Sequence, residues 1–246
     1  MSNKYIIISA LLLSTTFFCK AQNKVVRNNQ QWIQYSSQLK LPEKFTLLTD
    51  VSLRRINDFK QWSQVTFRTG AGYNLNENTQ AVIGIALFTF FQNDDLSRFE
   101  IRPYQEINTT QRFGKVSLQH RFRLEERYFR KISDGIITSE SAFNFRFRYR
   151  LFCAIPLLSL SKSNPDKKML LNISDEIFIN AGKEIKYNML DNNRLSAGLA
   201  FQPHKNLNIS FTYTYQFGQR NAPSTYEHSD IFWIGIIHKL SLKNRD

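Results

Sequence analysis

The stretch "FNFRFRYRLF" (Phe143–Phe152) alternates without a break through its first eight residues. Phe143, Phe145, Phe147 and Tyr149 hold the odd positions, and Asn144, Arg146, Arg148 and Arg150 the even ones. A period of two is the β-strand period, so one face of this strand is aromatic and the other carries three guanidiniums in a row. Neither face suits an ordinary soluble sheet. The arrangement needs one surrounding that welcomes exposed rings and another that tolerates a stack of like charges.

The same grammar runs along the chain. Eleven alternating segments follow one another: 31–41, 44–56, 61–75, 79–91, 98–109, 115–130, 141–155, 169–180, 194–202, 207–217 and 230–242. They are separated by turn-forming stretches such as "LPEK", "NLNENT", "FQNDD", "RFGK", "SKSNPDKK" and "QPHKN". In 207–217, Leu207, Ile209, Phe211, Tyr213, Tyr215 and Phe217 face Asn208, Ser210, Thr212, Thr214 and Gln216 across the strand. Most segments exceed the roughly 5–6 residues typical of soluble strands and reach the roughly 9–11 needed to cross a bilayer at a tilt. No segment keeps a helical period, and composition does not shift to mark a domain boundary.

Long strands that are apolar on one face and polar on the other are the signature of a transmembrane β-barrel, the only sheet that can cross lipid without unpaired edges. The expected fold class is therefore all-β: an antiparallel up-and-down barrel of outer-membrane type with 10–12 strands. Twelve is favoured because bacterial single-chain barrels have even counts, with "EIKYNML" (Glu184–Leu190) as the candidate extra strand. Pro103 lies inside 98–109 and donates no ladder hydrogen bond, so a bulge or strand end is expected there. The long connections "NAGKEIKYNMLDNN" and "GQRNAPSTYEHS" against the short "QPHKN" suggest a periplasmic carboxyl terminus.

The amino terminus reads as an export signal. Lys4 precedes the apolar core "YIIISALLLSTTFF", which is too short to span a bilayer, and "CKAQ" offers cleavage after Ala21. Residues 1–21 are expected to be a cleaved signal peptide, 22–30 a short amino-terminal segment, 31–242 one barrel domain and 243–246 a tail. Cleavage would leave Cys153 as the one cysteine, so no internal disulfide is expected. The expected location is the bacterial outer membrane, with membrane lipid and the barrel-insertion machinery as partners.

The sequence resembles a family of bacterial outer-membrane barrels catalogued as domain of unknown function 2490. The likeness is carried by "QWIQY" (Gln31–Tyr35), "DVSLRR" (Asp50–Arg55), "RTGAGYNL" (Arg68–Leu75) and "EIRPYQE" (Glu100–Glu106). It continues through "HRFRLEERY" (His120–Tyr128), "FRFRYR" (Phe145–Arg150), "SDEIF" (Ser174–Phe178) and "NNRLSAGLAF" (Asn192–Phe201). The resemblance implies a barrel in the outer membrane and brings no activity with it.

Strand parity points a set of charges inward: Arg54, Arg68, Glu100, Arg102, Glu106, Arg121, Arg123, Glu125, Arg127, Arg146, Arg148, Arg150 and Glu176. Arginine dominates, matching a chain with 33 basic against 20 acidic side chains. One expectation is a salt-bridged brace filling a small barrel. The other is a narrow or gated pore whose positive lining favours small anionic solutes. Parity puts Asp175 on the outer face unless a bulge turns it in beside Glu176, where the two carboxylates could hold a cation.

An enzyme acting on membrane lipid is the rival class, but no histidine is followed by the His-x-Ser spacing that would activate a serine on the same strand face. His120 sits among apolar residues, and His228 with Ser229, Asp230 and Glu227 is read as loop. Nucleic-acid binding fits poorly, because base stacking needs rings beside the cations rather than behind them. Neither zinc-type cysteine and histidine spacing nor a phosphate-binding glycine loop occurs, so no cofactor or metal is expected.

Overall fold

The computed structural model describes residues 23–133 and 135–242. The expected signal peptide and the carboxyl-terminal tail lie outside them. Each of the eleven alternating segments becomes one strand: β1 (Lys24–Lys40), β2 (Phe45–Ile56), β3 (Gln61–Asn74), β4 (Thr79–Gln92), β5 (Asp95–Phe113) and β6 (Val116–Ser133), then β7 (Ile136–Ser159), β8 (Lys168–Ala181), β9 (Leu190–His204), β10 (Leu207–Gln219) and β11 (Thr225–Ser241). Each pairs with its sequence neighbours, and β1 pairs with β11 to close the ring.

The closure corrects two expectations. Among the described residues there are eleven strands, not the favoured twelve, and Glu184–Met189 belongs to the connection between β8 and β9. Strand direction alternates around a meander, so an odd count leaves one pair running the same way. That pair is β1 and β11, parallel from Lys24↔Thr225 to Lys40↔Ser241. The seam is tied at both ends, by Lys24 N–H to Ser224 C=O (2.9 Å) and Leu242 N–H to Lys40 C=O (3.2 Å). The barrel also starts earlier than expected, since β1 takes in most of the segment read as a separate 22–30.

Other local expectations change too. Pro103 makes neither bulge nor strand end: β5 continues through it, still paired to Ile85 of β4. Its ladder to β6 is interrupted between Ile101↔Tyr128 and Tyr104↔Glu125, and the register resumes unchanged. Proline tolerates this because it faces outward and forfeits only its own donor. Loop length does not tell the two ends apart, because the connections 160–167 and 182–189 lie at opposite ends and are equally long. The tight turns use residues that accept left-handed backbone, as at Asn93 and Asp94 between β4 and β5 (φ 52° and 68°).

Parity sorts the two faces. Outward stand Ile83 (67% exposed), Phe211 (61%), Phe232 (60%) and Phe122 (56%), among many other large apolar side chains. Inward, Val82, Ala86, Phe88 and Tyr104 form a small apolar cluster with Leu48 and Phe90 beside it. Tyr104 can lie across the wall there because Gly70 and Gly84 face it. A Cβ on Gly70 would stand 2.7 Å from the Tyr104 hydroxyl. Most of the remaining interior is polar, with Trp32, Phe178, Ala200 and Ile231 as further buried apolar side chains.

The parallel seam is directly testable. In a Cys153→Ser background, the pair Ile33→Cys with Ile234→Cys and the pair Leu39→Cys with Leu240→Cys should each cross-link with a short bifunctional thiol reagent, read as a gel shift of the folded protein. An antiparallel closure could bring one of these pairs into register but not both.

Candidate functional site

The interior is uneven around its circumference. The walls from β10 through β11 to β1 present amides and hydroxyls, among them Gln34, Ser36, Asn208, Ser210 and Thr212, while β5 to β9 present most of the charges. Between the two sides lies a cavity of about 1230 Å³.

The charged wall is a connected network centred on Glu125, a side chain only 2% exposed. Arg146 donates from Nε and Nη2 to Glu125 Oε2 at 2.8 and 2.6 Å. Arg148 donates to Glu125 Oε1 and, from Nε and Nη2, to Glu176 Oε1 at 2.9 and 2.7 Å. Arg102 and Arg123 approach the same Glu125 at 3.6 and 3.5 Å. Arg121 shares Glu176 with Arg148, and Arg123 donates from Nε to Glu106 at 2.6 Å. At the other end Glu100, fully buried, accepts a bidentate pair from Arg102 and a 2.8 Å bond from Arg127. Charge-assisted bonds of this kind are the strong ones, and a planar guanidinium suits a carboxylate fork.

Aromatic rings support the guanidiniums from beneath. Arg102 lies 3.6 Å from the Phe88 centroid, Arg123 lies 4.5 Å from Tyr104 and Arg148 lies 4.4 Å from Phe178. Each contact offsets part of the cost of taking a cation out of water.

The structure thus joins Glu100, Arg102, Glu106, Arg121, Arg123, Glu125, Arg127, Arg146, Arg148 and Glu176 in one network. Arg68 stands apart, bound from Nε and Nη2 to Asp50 at 2.9 and 2.8 Å. Arg54 and Arg150 face the cavity with glutamines as hydrogen-bond partners, Gln64 at 3.2 Å and Gln119 at 3.1 Å.

The interior charges absent from the sequence set include Asp50, Arg98, Asp191 and Arg194. Asp50, Arg98 and Arg194 lie on the inward parity of strands already recognised, Asp50 in the middle of β2 and the other two near strand starts, so applying the alternation throughout would have found them. Asp191 could not be found that way. A register shift between β8 and β9 turns it inward, where it accepts from Arg146 Nη1 at 2.8 Å.

The outer face carries few polar groups, and neighbours hold them. Asp175 stays on the outer face and accepts from Asn193 at 2.7 Å. It therefore does not converge with Glu176. Asp230 accepts from the Tyr213 hydroxyl, and Glu126 accepts from Gln105 at 3.3 Å. His120 meets the Tyr149 hydroxyl at 2.8 Å. The reading of His228 as loop is corrected: it lies on β11, against the Tyr215 hydroxyl. Ser229, its neighbour, is fully buried on the opposite face, because successive strand residues point opposite ways. His228 cannot activate it. No group of three or more potential metal ligands occurs among the described residues.

With this geometry in place, residues 29–227 match the model of the family described as protein of unknown function, DUF2490. The chain belongs to that family. The matched span of this DUF2490 barrel runs from within β1 into β11 and so contains the whole charge network. No curated protein and no solved structure matches the chain.

Removing the central acceptor should be costly. Glu125→Gln leaves Arg146 and Arg148 short of a counter-charge and should lower stability by about 3–5 kcal/mol, the range for stripping one partner from a buried pair. Asp50→Asn should cost less, since Asp50 and Arg68 retain 19% and 17% side-chain exposure. Urea midpoints of the folded proteins check both.

Proposed function

We propose that this DUF2490 barrel is exported by a cleaved signal peptide, resides in a bacterial outer membrane and encloses a narrow passage that prefers small anions. The observation that carries the proposal is the inversion of faces. Burying a large apolar side chain is worth about 1.5–3 kcal/mol, yet the ring turns dozens of such side chains outward while its interior holds guanidiniums and carboxylates. Hydrocarbon around the barrel makes that distribution favourable, where water would not.

The polar details of the outer face support the same reading. Tyrosines with polar partners flank the apolar band at two levels. Tyr215 lies toward the β10–β11 connection, bonded to His228, while Tyr35 and Tyr73 lie toward the other end, near His238 and Lys44. Amphipathic rings concentrate at the two boundaries of a bilayer. The cavity supports the passage. Its charged wall is braced, so it keeps its shape, and its cationic surplus should attract anions and repel cations.

Reconstitution in planar bilayers tests this. The expected result is small, discrete conductance steps with a reversal potential favouring anions. Arg150→Glu, which changes a cavity-facing charge outside the network, should shift selectivity toward cations without abolishing the steps. Folded protein that inserts but never conducts would overturn the passage, and monomeric folded protein in detergent-free buffer would overturn the membrane location.

A further inference from the structure

Four interior arginines, Arg54, Arg98, Arg150 and Arg194, have no carboxylate within 4.0 Å among the described residues. Two of them converge. The Arg54 guanidinium carbon lies 3.8 Å from the centre of the Trp32 ring, and that of Arg194 lies 4.9 Å from the same ring. Trp32 is a fixed plate: it is 2% exposed and its indole N–H donates to Gln30 at 2.8 Å. Trp233 meets it edge-on at 5.2 Å.

The polar groups around this plate are donors in excess. Arg194 spends Nε on Gln216 (2.6 Å) and Arg54 spends Nη1 on Gln64. The Nε of Arg54 and the indole Nε1 of Trp233 are buried with no acceptor. The strongest charges acting on Arg54 are themselves guanidiniums, led by Arg194 and Arg68. Stacking on an indole offsets only part of such repulsion. Buried donors without partners are rare in native proteins and call for an explanation. Across the charge network the guanidiniums are met by carboxylates. Here none reaches, and all four side chains line the cavity.

We propose that Arg54, Arg194 and Trp233, gathered around Trp32, bind an oxyanion, the phosphate or carboxylate group of a small solute entering the barrel. An oxyanion fits because its several lone pairs can take bidentate bonds from a guanidinium edge and a further bond from an indole N–H. The anion supplies the counter-charge that Glu125 and Glu176 supply to the network. This inference rests on the reading of the interior as reachable from solution, but it concerns binding rather than transport.

The chain has three tryptophans, so Trp62→Phe leaves only Trp32 and Trp233 to report. Detergent-folded Trp62→Phe protein would be titrated with inorganic phosphate, and separately with acetate, against chloride at matched ionic strength. The expected result is a saturable fluorescence change with phosphate or acetate that chloride does not reproduce, the two titrations deciding which oxyanion the site takes. Arg54→Gln and Arg194→Gln should each weaken binding about tenfold or more, as expected for losing a charged donor. Lys131→Gln, on the exposed rim, should leave it unchanged. Circular dichroism identifies any variant that fails to fold, and Arg194→Lys, which keeps the charge but loses the fork, then stands in for Arg194→Gln with an intermediate loss. No saturable response, an equal response to chloride, or undiminished affinity in the folded arginine variants would each overturn the proposal. Binding with a silent bilayer would remove the passage and keep this site, whereas conductance without binding would do the reverse.

Discussion

Register places guanidinium against guanidinium inside this barrel. Arg121 lies opposite Arg150, and Arg123 opposite Arg148, on the paired strands β6 and β7. Like charges directly opposite each other destabilise a sheet, and the effect grows where side chains are shielded from bulk water. The arrangement persists because carboxylates reach in from three strands. Glu106 comes from β5, Glu125 from β6 and Glu176 from β8, and each touches at least two arginines. The β6–β7 pairing thus takes its counter-charges from Glu125 of β6 itself and from the flanking strands β5 and β8.

That dependence shapes the rest of the interior. Phe178 supports three arginines, Arg146, Arg148 and Arg194, within 5.3 Å of its ring. Phe88 and Tyr104 do the same for Arg102 and Arg123, and Tyr104 needs the inward-facing glycines to lie where it does. Charges, rings and glycines on β3 to β9 therefore form one interlocking wall. The opposite wall carries mostly shorter polar side chains, with Trp32 and Trp233 as its large groups.

Closure by a parallel pair has a consequence for the whole molecule. With eleven strands, the amino end of β1 and the carboxyl end of β11 lie at opposite ends of the ring. β11 contributes Ile231 and Trp233, and β1 contributes Trp32, so the join is sealed by apolar bulk rather than by ion pairs. Arg54 of β2 and Arg194 of β9 meet over Trp32 at this seam, and Glu176, which lies opposite Arg194 in the β8–β9 ladder, is bound by Arg121 and Arg148 instead.

The amino-acid sequence by itself determined what is local. A period of two in eleven segments is enough to set the strands and the face each residue takes, which is why the alternation of Phe143–Phe152 already separates rings from guanidiniums. The count of strands was legible for the same reason, and a preference for even numbers drew the expectation away from it. Only the tertiary structure decided what depends on strands distant in the chain. Whether Arg148 meets Glu125 and Glu176 while Arg54 meets only an indole and a glutamine follows from register and from how the ring closes. Asp191 shows the limit most plainly, since one irregular pairing between β8 and β9 turns a residue read as loop into a partner of Arg146. Side-chain direction repeats every second residue, whereas the identity of a partner is a property of the closed ring.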